Sequence, residues 1–259
     1  MKKYQQIILV ILIIAMIIGI GVLSYGYVKA LTYKAQNPVA TMEIEDFGTI
    51  KLELYPDVAP NTVTNFIALA NNGFYDGVTF YETNPEYRVL AGKSSENATL
   101  SNIDSSIEKG SSEDKEYAIE GEFSINGYDN NTLKFEKGVI AMERYDYSRI
   151  DSSLVTKSYN SANSQFFIMN VDNYSLNRVF TGFGKVIEGL DVVDKIANVE
   201  VVTRDQTAEE GVDEPINPPV IKSIRVETYG VDYGKPKTIE AFDYYNWLIN
   251  NYYSSYFNQ

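Results

Sequence analysis

The stretch Asn163-Ser164-Gln165-Phe166-Phe167-Ile168-Met169, with Val179-Phe180-Thr181-Gly182-Phe183-Gly184-Lys185-Val186 close behind it, decides the reading of this chain. Successive side chains of a strand point to opposite faces, so Gln165 and Phe167 share one face while Phe166 and Ile168 share the other. One face packs a core, which leaves the second open to a ligand. By itself such a stretch reads first as a buried packing strand. The segments around it make it the core of a candidate pocket.

Upstream, Thr41-Met42-Glu43-Ile44-Glu45 and Thr49-Ile50-Lys51-Leu52-Glu53-Leu54 alternate apolar and polar residues around Asp46-Phe47-Gly48, the pattern of a hairpin. Pro60-Asn61-Thr62 opens a helix carrying Val63, Phe66, Ile67 and Ala70 at helical spacing, and Asn71-Asn72-Gly73 ends it. A turn and strand over Phe74 to Glu82, a short strand at Tyr87 to Leu90 and an apolar strand at Gly138 to Met142 follow. Residues 93–116 and 145–160 are polar and read as solvated loops. Leu190, Val193 and Ile196 mark a second helix, and Val220 to Glu227 closes the domain with a β pattern.

The 259 residues include neither Cys nor His, which removes thiol nucleophiles, disulfides, His-based triads and Cys/His metal sites together. No twelve-residue calcium loop is present either. The sequence therefore calls for no metal and no cofactor, and any chemistry uses carboxylates, Arg, Lys, Tyr, amides or plain binding. A formal charge of −13 argues against nucleic acid as a partner, because an acidic surface repels phosphate.

Lys2-Lys3 precede an uncharged run from Tyr4 to Val28, and Lys29 and Lys34 follow it. The run approaches the ~20 residues that span a bilayer and lacks the small-residue exit of a cleavable signal. Residues 1–36 are read as an uncleaved membrane anchor and tether. With Lys2-Lys3 inside, a single-pass protein of the cell membrane would hold its folded domain outside the cytoplasm. That domain occupies residues 37–228. The tail, residues 229–259, is rich in Tyr and contains the sole Trp247; Phe242, Tyr245, Leu248 and Tyr252 are compatible with a helix whose aromatic stripe packs on its own domain.

In order, Pro56-x-x-Ala-Pro-x-Thr-x-x-Asn-Phe66, Gly73-Phe-Tyr-Asp-Gly-x-Thr-Phe80, Gly121-Glu-Phe123, Gly138-Val-Ile-Ala-Met142, Ser161-Ala-x-Ser-Gln-Phe-Phe-Ile168 and Phe183-Gly-Lys-Val-Ile-Glu-Gly-Leu-Asp-Val-Val193 make the chain resemble the cyclophilin-type peptidyl-prolyl cis-trans isomerases. The resemblance runs from about Thr41 to Glu227. It implies a mostly β fold, a closed eight-stranded antiparallel barrel capped by two helices, and Pro-containing or extended polypeptide segments as partners.

The chemistry so implied is modest. An Xaa-Pro amide isomerises over ~18–20 kcal/mol by losing its resonance, so a catalyst supplies an apolar slot for the ring and a donor that favours the twisted amide. In the family an Arg after Thr-Phe is that donor. The resemblance carries the slot onto Tyr87, Phe167 and Leu176, with Gln165 retained beside the double Phe. Leu90, Met142, Glu143, Arg144 and Phe180 complete the expected substrate-binding set.

The departures are severe. Tyr81-Glu82 stands where the family has His-Arg, so a carboxylate occupies the donor's place; the pocket Met falls on Arg88, the second Gln on Leu90, a small wall residue on Glu143 and a Trp on Ser175. Two readings compete. Either Arg88 or Arg144 replaces the lost guanidinium with Glu82 holding it, or the charges are a paired patch over a slot that has lost catalysis. The second is favoured, because a neighbouring Glu competes for the same Arg protons. The chain is then a weakened isomerase assisting the folding of exported proteins, with a non-catalytic peptide-binding module as the alternative.

Overall fold

The leading apolar run folds as one helix, α1 (Lys2–Thr32). Its described large apolar side chains, among them Ile11, Leu12, Met16, Ile17 and Leu23, are exposed. The computed structural model describes residues 2–32, 36–94, 97–208 and 210–253. It divides into Met1–Gln36 and Asn37–Gln259. Among the described residues no helix is long and apolar enough to cross a membrane. Lys34 and residues 254–259 lie outside the described residues.

In the second unit the alternating segments become β1 (Val39–Ile44) and β2 (Gly48–Leu54), paired antiparallel. Next comes α2 (Pro60–Asn71), which starts at a proline whose missing N–H costs nothing at that position. Then follow β3 (Glu82–Thr83), β4 (Arg88–Ala91), α3 (Leu100–Ile103), β5 (Tyr117–Ala118), β6 (Val139–Met142), α4 (Val155–Tyr159), β7 (Phe166–Met169), β8 (Gly182–Glu188), α5 (Leu190–Ala197) and β9 (Ile221–Glu227). The tail adds β10 (Ile239–Glu240) and α6 (Tyr244–Leu248).

The main sheet has eight antiparallel strands in the order β3-β4-β7-β6-β8-β2-β1-β9. It curls but does not close, which corrects the closed barrel expected from the sequence: β3 and β9 are its edges. Among the described residues the seam is crossed by a single bridge, Thr79 opposite Val220, with Phe80 N donating to Pro219 O at 2.9 Å and Ile221 N to Val78 O at 2.8 Å. Of the turn and strand expected over Phe74 to Glu82, only Glu82 enters a named strand, the two-residue β3. Facing it, Pro218-Pro219 has no N–H to donate, so a ladder cannot run there.

The concave face of the sheet is filled by one cluster containing Met42, Leu52, Val89, Ile140, Phe166 and Ile168, closed by α2 and α5. Phe66 of α2 meets Phe166 edge-on at 5.7 Å and Phe183 at 5.2 Å. A second cluster of Leu90, Phe135, Val139, Ala141, Phe167 and Met169 lies on the opposite face. The strand alternation has therefore produced two cores, and the second one is the floor of the site.

The tail is not one striped helix. After β10, which pairs with β5, its described residues form α6 and a π turn, Ile249–Tyr253. Tyr244 and Trp247 are the rings that stack, at 6.4 Å, while Tyr245 of the expected stripe is 79% exposed. Phe242, ahead of the helix, still packs on Tyr147 at 5.1 Å, and Tyr252 meets Trp247 at 5.6 Å.

Candidate functional site

Register places the key residues in a row. Glu82 pairs with Leu90, Leu90 with Phe167 and Phe167 with Ala141 across four adjacent strands, all on the convex face. Arg88, two residues before Leu90, shares that face in the neighbouring row, opposite Met169. Phe167 is fully buried there, against Phe135 at 6.2 Å and edge-on to Phe180 at 5.4 Å. Leu176 packs beside them and Tyr87 lies at the rim. Met142 does not belong to this set: strand parity turns it into the inner core with Phe166. Ser175 is exposed and bonded to Asn173 Oδ1, so nothing polar reaches the slot from the position where the family has its ring.

The charged residues converge on the slot floor. The Arg88 guanidinium carbon sits 4.6 Å from the centre of the Phe167 ring and 4.9 Å from that of Tyr87. Arg88 Nη1 donates to Glu143 Oε2 at 2.5 Å, and Nε lies 3.5 Å from Glu82 Oε1 without forming a hydrogen bond among the described residues. Burial pushes the Glu82 carboxyl up, with Arg88 drawing it down and Glu143 adding to the rise. For Arg88 burial works the other way, but Glu143 and Glu82 prevail and hold the guanidinium charged more firmly than usual. Arg144 points elsewhere. Its guanidinium lies over Phe180 at 4.7 Å and Tyr159 at 5.3 Å, and donates to the Val179 carbonyl at 3.4 Å.

Gln165 is held from both sides. Tyr81 Oη donates to its Oε1 at 2.5 Å, and its Nε2 donates to Tyr145 Oη at 3.2 Å. The backbone beneath it is fixed by Tyr75 Oη donating to the Ser164 carbonyl at 2.9 Å and by Asn163 Nδ2 donating to Tyr117 O at 2.6 Å. Gly92, at φ +89°, permits this approach; a Cβ there would stand 2.4 Å from Ser164 O. Tyr145 and Phe135 are site residues that sequence reasoning missed, and Tyr81, noted there only as standing where the family has His, gains its partner Gln165 here. Phe135 carried a signal, since it alternates with Leu133 in an apolar stretch; Tyr145, in a polar loop, carried none.

Two supports lie behind the site. Glu122 of the Gly-Glu-Phe motif caps α2 from a distance, accepting from Asn61 N at 3.0 Å, Thr62 N at 2.8 Å and Thr62 Oγ1 at 2.7 Å. Buried Asp213 staples the β3 edge, receiving Arg204 Nη1 at 2.9 Å and Asn84 Nδ2 at 2.8 Å while its carbonyl takes Thr83 N.

The family model for cyclophilin type peptidyl-prolyl cis-trans isomerase/CLD matches residues 39–226. The chain belongs to the cyclophilin-type isomerase family. A peptidyl-prolyl cis-trans isomerase of Acinetobacter baylyi is 34% identical over 163 residues, 61% of this chain and 71% of that protein. Peptidyl-prolyl cis-trans isomerase B of Bacillus subtilis is 32% identical over 159 residues, 61% and 90%. Among solved structures a Cryptosporidium parvum cyclophilin shares the fold, with TM-score 0.53 and 20% identity over 74% of this chain and 98% of its own. A further structure of that protein was determined in the presence of the dipeptide Ala-Pro, with TM-score 0.53 and 20% identity over 73% and 98%. In this cyclophilin domain an apolar patch of Leu90, Phe135, Phe167 and Leu176 thus carries a guanidinium, held beside two carboxylates, over its Phe167 ring.

Proposed function

We propose that this cyclophilin domain binds Xaa-Pro segments of exported polypeptides outside the cytoplasm and isomerises them only slowly. The observation that carries the reading is Arg88 on the Phe167 ring between Glu82 and Glu143. A donor accelerates rotation when it is pre-organised toward the twisted amide and gains strength there. Here the nearest guanidinium is engaged by Glu143, and the residue at the donor's position in the family repels a carbonyl oxygen. Binding survives more readily, because Tyr87, Phe167 and Leu176 still offer apolar area once Arg88 swings aside.

The membrane location rests on the sequence: Lys2-Lys3, then an uncharged, mostly apolar run from Tyr4 to Val28. Exchange NMR on an Xaa-Pro peptide, with the Bacillus subtilis relative assayed in parallel, tests the main reading. Peptide shifts that depend on Phe167, with a rate far below the relative's, are expected. An equal rate removes the claim of weakened catalysis, and no peptide binding removes the rest.

A further inference from the structure

Past Gln165 the site face runs on into a groove of about 870 Å3 whose near end is Glu143, Arg144 and Gln165. Its far wall is the chain's own C-terminal segment, which contributes Phe242, Tyr244 and Tyr245. Backbone bonds fix that wall. Ile239 pairs with Ala118 and Glu240 with Tyr117, and Asn61 both donates to Lys237 O at 2.9 Å and accepts from Lys237 N at 2.7 Å. Stacked rings join the wall to the site: Tyr244 on Tyr147 at 5.3 Å, Tyr147 on Tyr145 at 5.7 Å. Tyr145 then accepts from Gln165. Slot, groove and tail form one surface.

The groove suits a cation. Its lining includes the carboxylates of Glu116, Asp146, Glu240 and Asp243 against the cations Lys115 and Arg144. Arg144 lays its charge on Phe180, and Asp146 already meets Arg149 at 3.1 Å. Glu116 and Asp243 accept from neutral groups, the Asn97 amide and the Asn246 backbone, which leave their charge in place. The ring of Phe242 already has an ammonium, that of Lys157, 5.7 Å from its centre. Ring faces beside carboxylates favour ammonium and guanidinium groups.

We propose that this tail-walled groove binds a Lys or Arg side chain of the same polypeptide whose proline enters the slot, so that the domain selects proline segments flanked by positive charge. The inference rests on the peptide binding proposed above, and its test separates the two. Peptides with a single Lys, Ala or Glu scanned along both flanks of a proline, and a matching set with Ala in place of that proline, are titrated into the full chain in detergent. Calorimetry reads affinity, and Trp247, stacked on Tyr244, reports on the wall.

At one or two positions Lys should bind about 5–10-fold more tightly than Ala, and the advantage should shrink as salt rises. Glu116→Gln with Glu240→Gln should abolish that advantage and leave the Ala peptide's affinity unchanged. Phe242→Leu, which keeps an apolar wall without the ring, should weaken Lys peptides more than Ala peptides and serves where the double variant folds poorly. Equal affinity of Lys, Ala and Glu at every position overturns the inference, as does a Lys advantage that persists in both variants. A Lys advantage that ignores the proline leaves the groove standing and removes the slot reading instead.

Discussion

Arg88 holds its guanidinium 4.6 Å from the centre of the Phe167 ring, and Glu143 and Glu82 fix it there at 2.5 and 3.5 Å. The ring is fully buried as a result of this cover together with Phe135 and Phe180. Arg88→Met should keep the cover and remove the charge, leaving two carboxylates facing one another. A loss of about 1–3 kcal/mol near neutral pH is expected. Glu82 already has a raised folded pKa, and losing Arg88 raises it further. A raised carboxyl penalises the fold progressively as pH climbs from the unfolded pKa through the folded one. Denaturation at pH 4 and 7 should therefore show the larger loss at pH 7; equal losses would reduce Arg88 to packing.

Asp213 shows the opposite sign. Burial pushes its carboxyl up, but bonds from Arg204, Asn84 and Gln206 outweigh this and hold it below the usual range. Its contribution to stability is present above the unfolded pKa and fades as pH falls through the folded one. Asn fits the backbone at φ 58°. Asp213→Asn should cost about 1–3 kcal/mol at pH 7. Melts against the parent should converge at the acid end, where the native carboxyl is also protonated; a gap that stays constant with pH contradicts the assignment.

Glu122 accepts three hydrogen bonds from the start of α2. Glu122→Ala leaves those donors buried without that partner and should cost roughly 2–3 kcal/mol, while Glu122→Gln, which still accepts, should cost less. Urea unfolding of both variants checks this. Equal losses would mean that charge, and not acceptance, is what the helix start needs.

The sequence made the central register legible because one strand of aromatic residues, Phe166-Phe167, has a period that physics fixes: Phe166 faces the inner core and Phe167 the outer. The same rule would have excluded Met142, which shares parity with Phe166 and not with Phe167, from the slot. The open seam was less legible, because a resemblance implies a closed barrel while Pro218-Pro219 removes the donors needed to complete it. Contacts between distant side chains, such as Tyr81 to Gln165 and Glu122 to Thr62, leave no periodic trace. The tail's stack on Tyr147 was hidden for the same reason.

The N-terminal run makes a cellular prediction. If Lys2-Lys3 stay inside and the run to Val28 remains as an anchor, protease added to intact cells should remove the cyclophilin domain and leave a short membrane-bound fragment. Recovery of a soluble, N-terminally trimmed protein from the medium contradicts the anchor. Protection of the domain contradicts the orientation.

Glu82 lies beside Leu90 at the sheet edge, in the same row as Phe167, so an Arg at that position would share the face of that ring. Glu82→Arg alone, however, sets two guanidiniums on adjacent strands, which repel by about 1 kcal/mol at 4 Å in water and more when desolvated. Glu82→Arg with Arg88→Met removes that conflict, replaces the charge over Phe167 with an apolar cover and leaves Glu143 to orient the new donor. This double variant should isomerise an Xaa-Pro peptide at least about tenfold faster than wild type, equivalent to about 1.4 kcal/mol of barrier. Arg88→Met alone should leave the small residual rate nearly unchanged, because a guanidinium engaged by Glu143 contributes little to the twisted amide. Exchange NMR on all three proteins decides the matter: if Arg88→Met alone abolishes a substantial wild-type rate, Arg88 is the relocated donor and the slot is an active isomerase site.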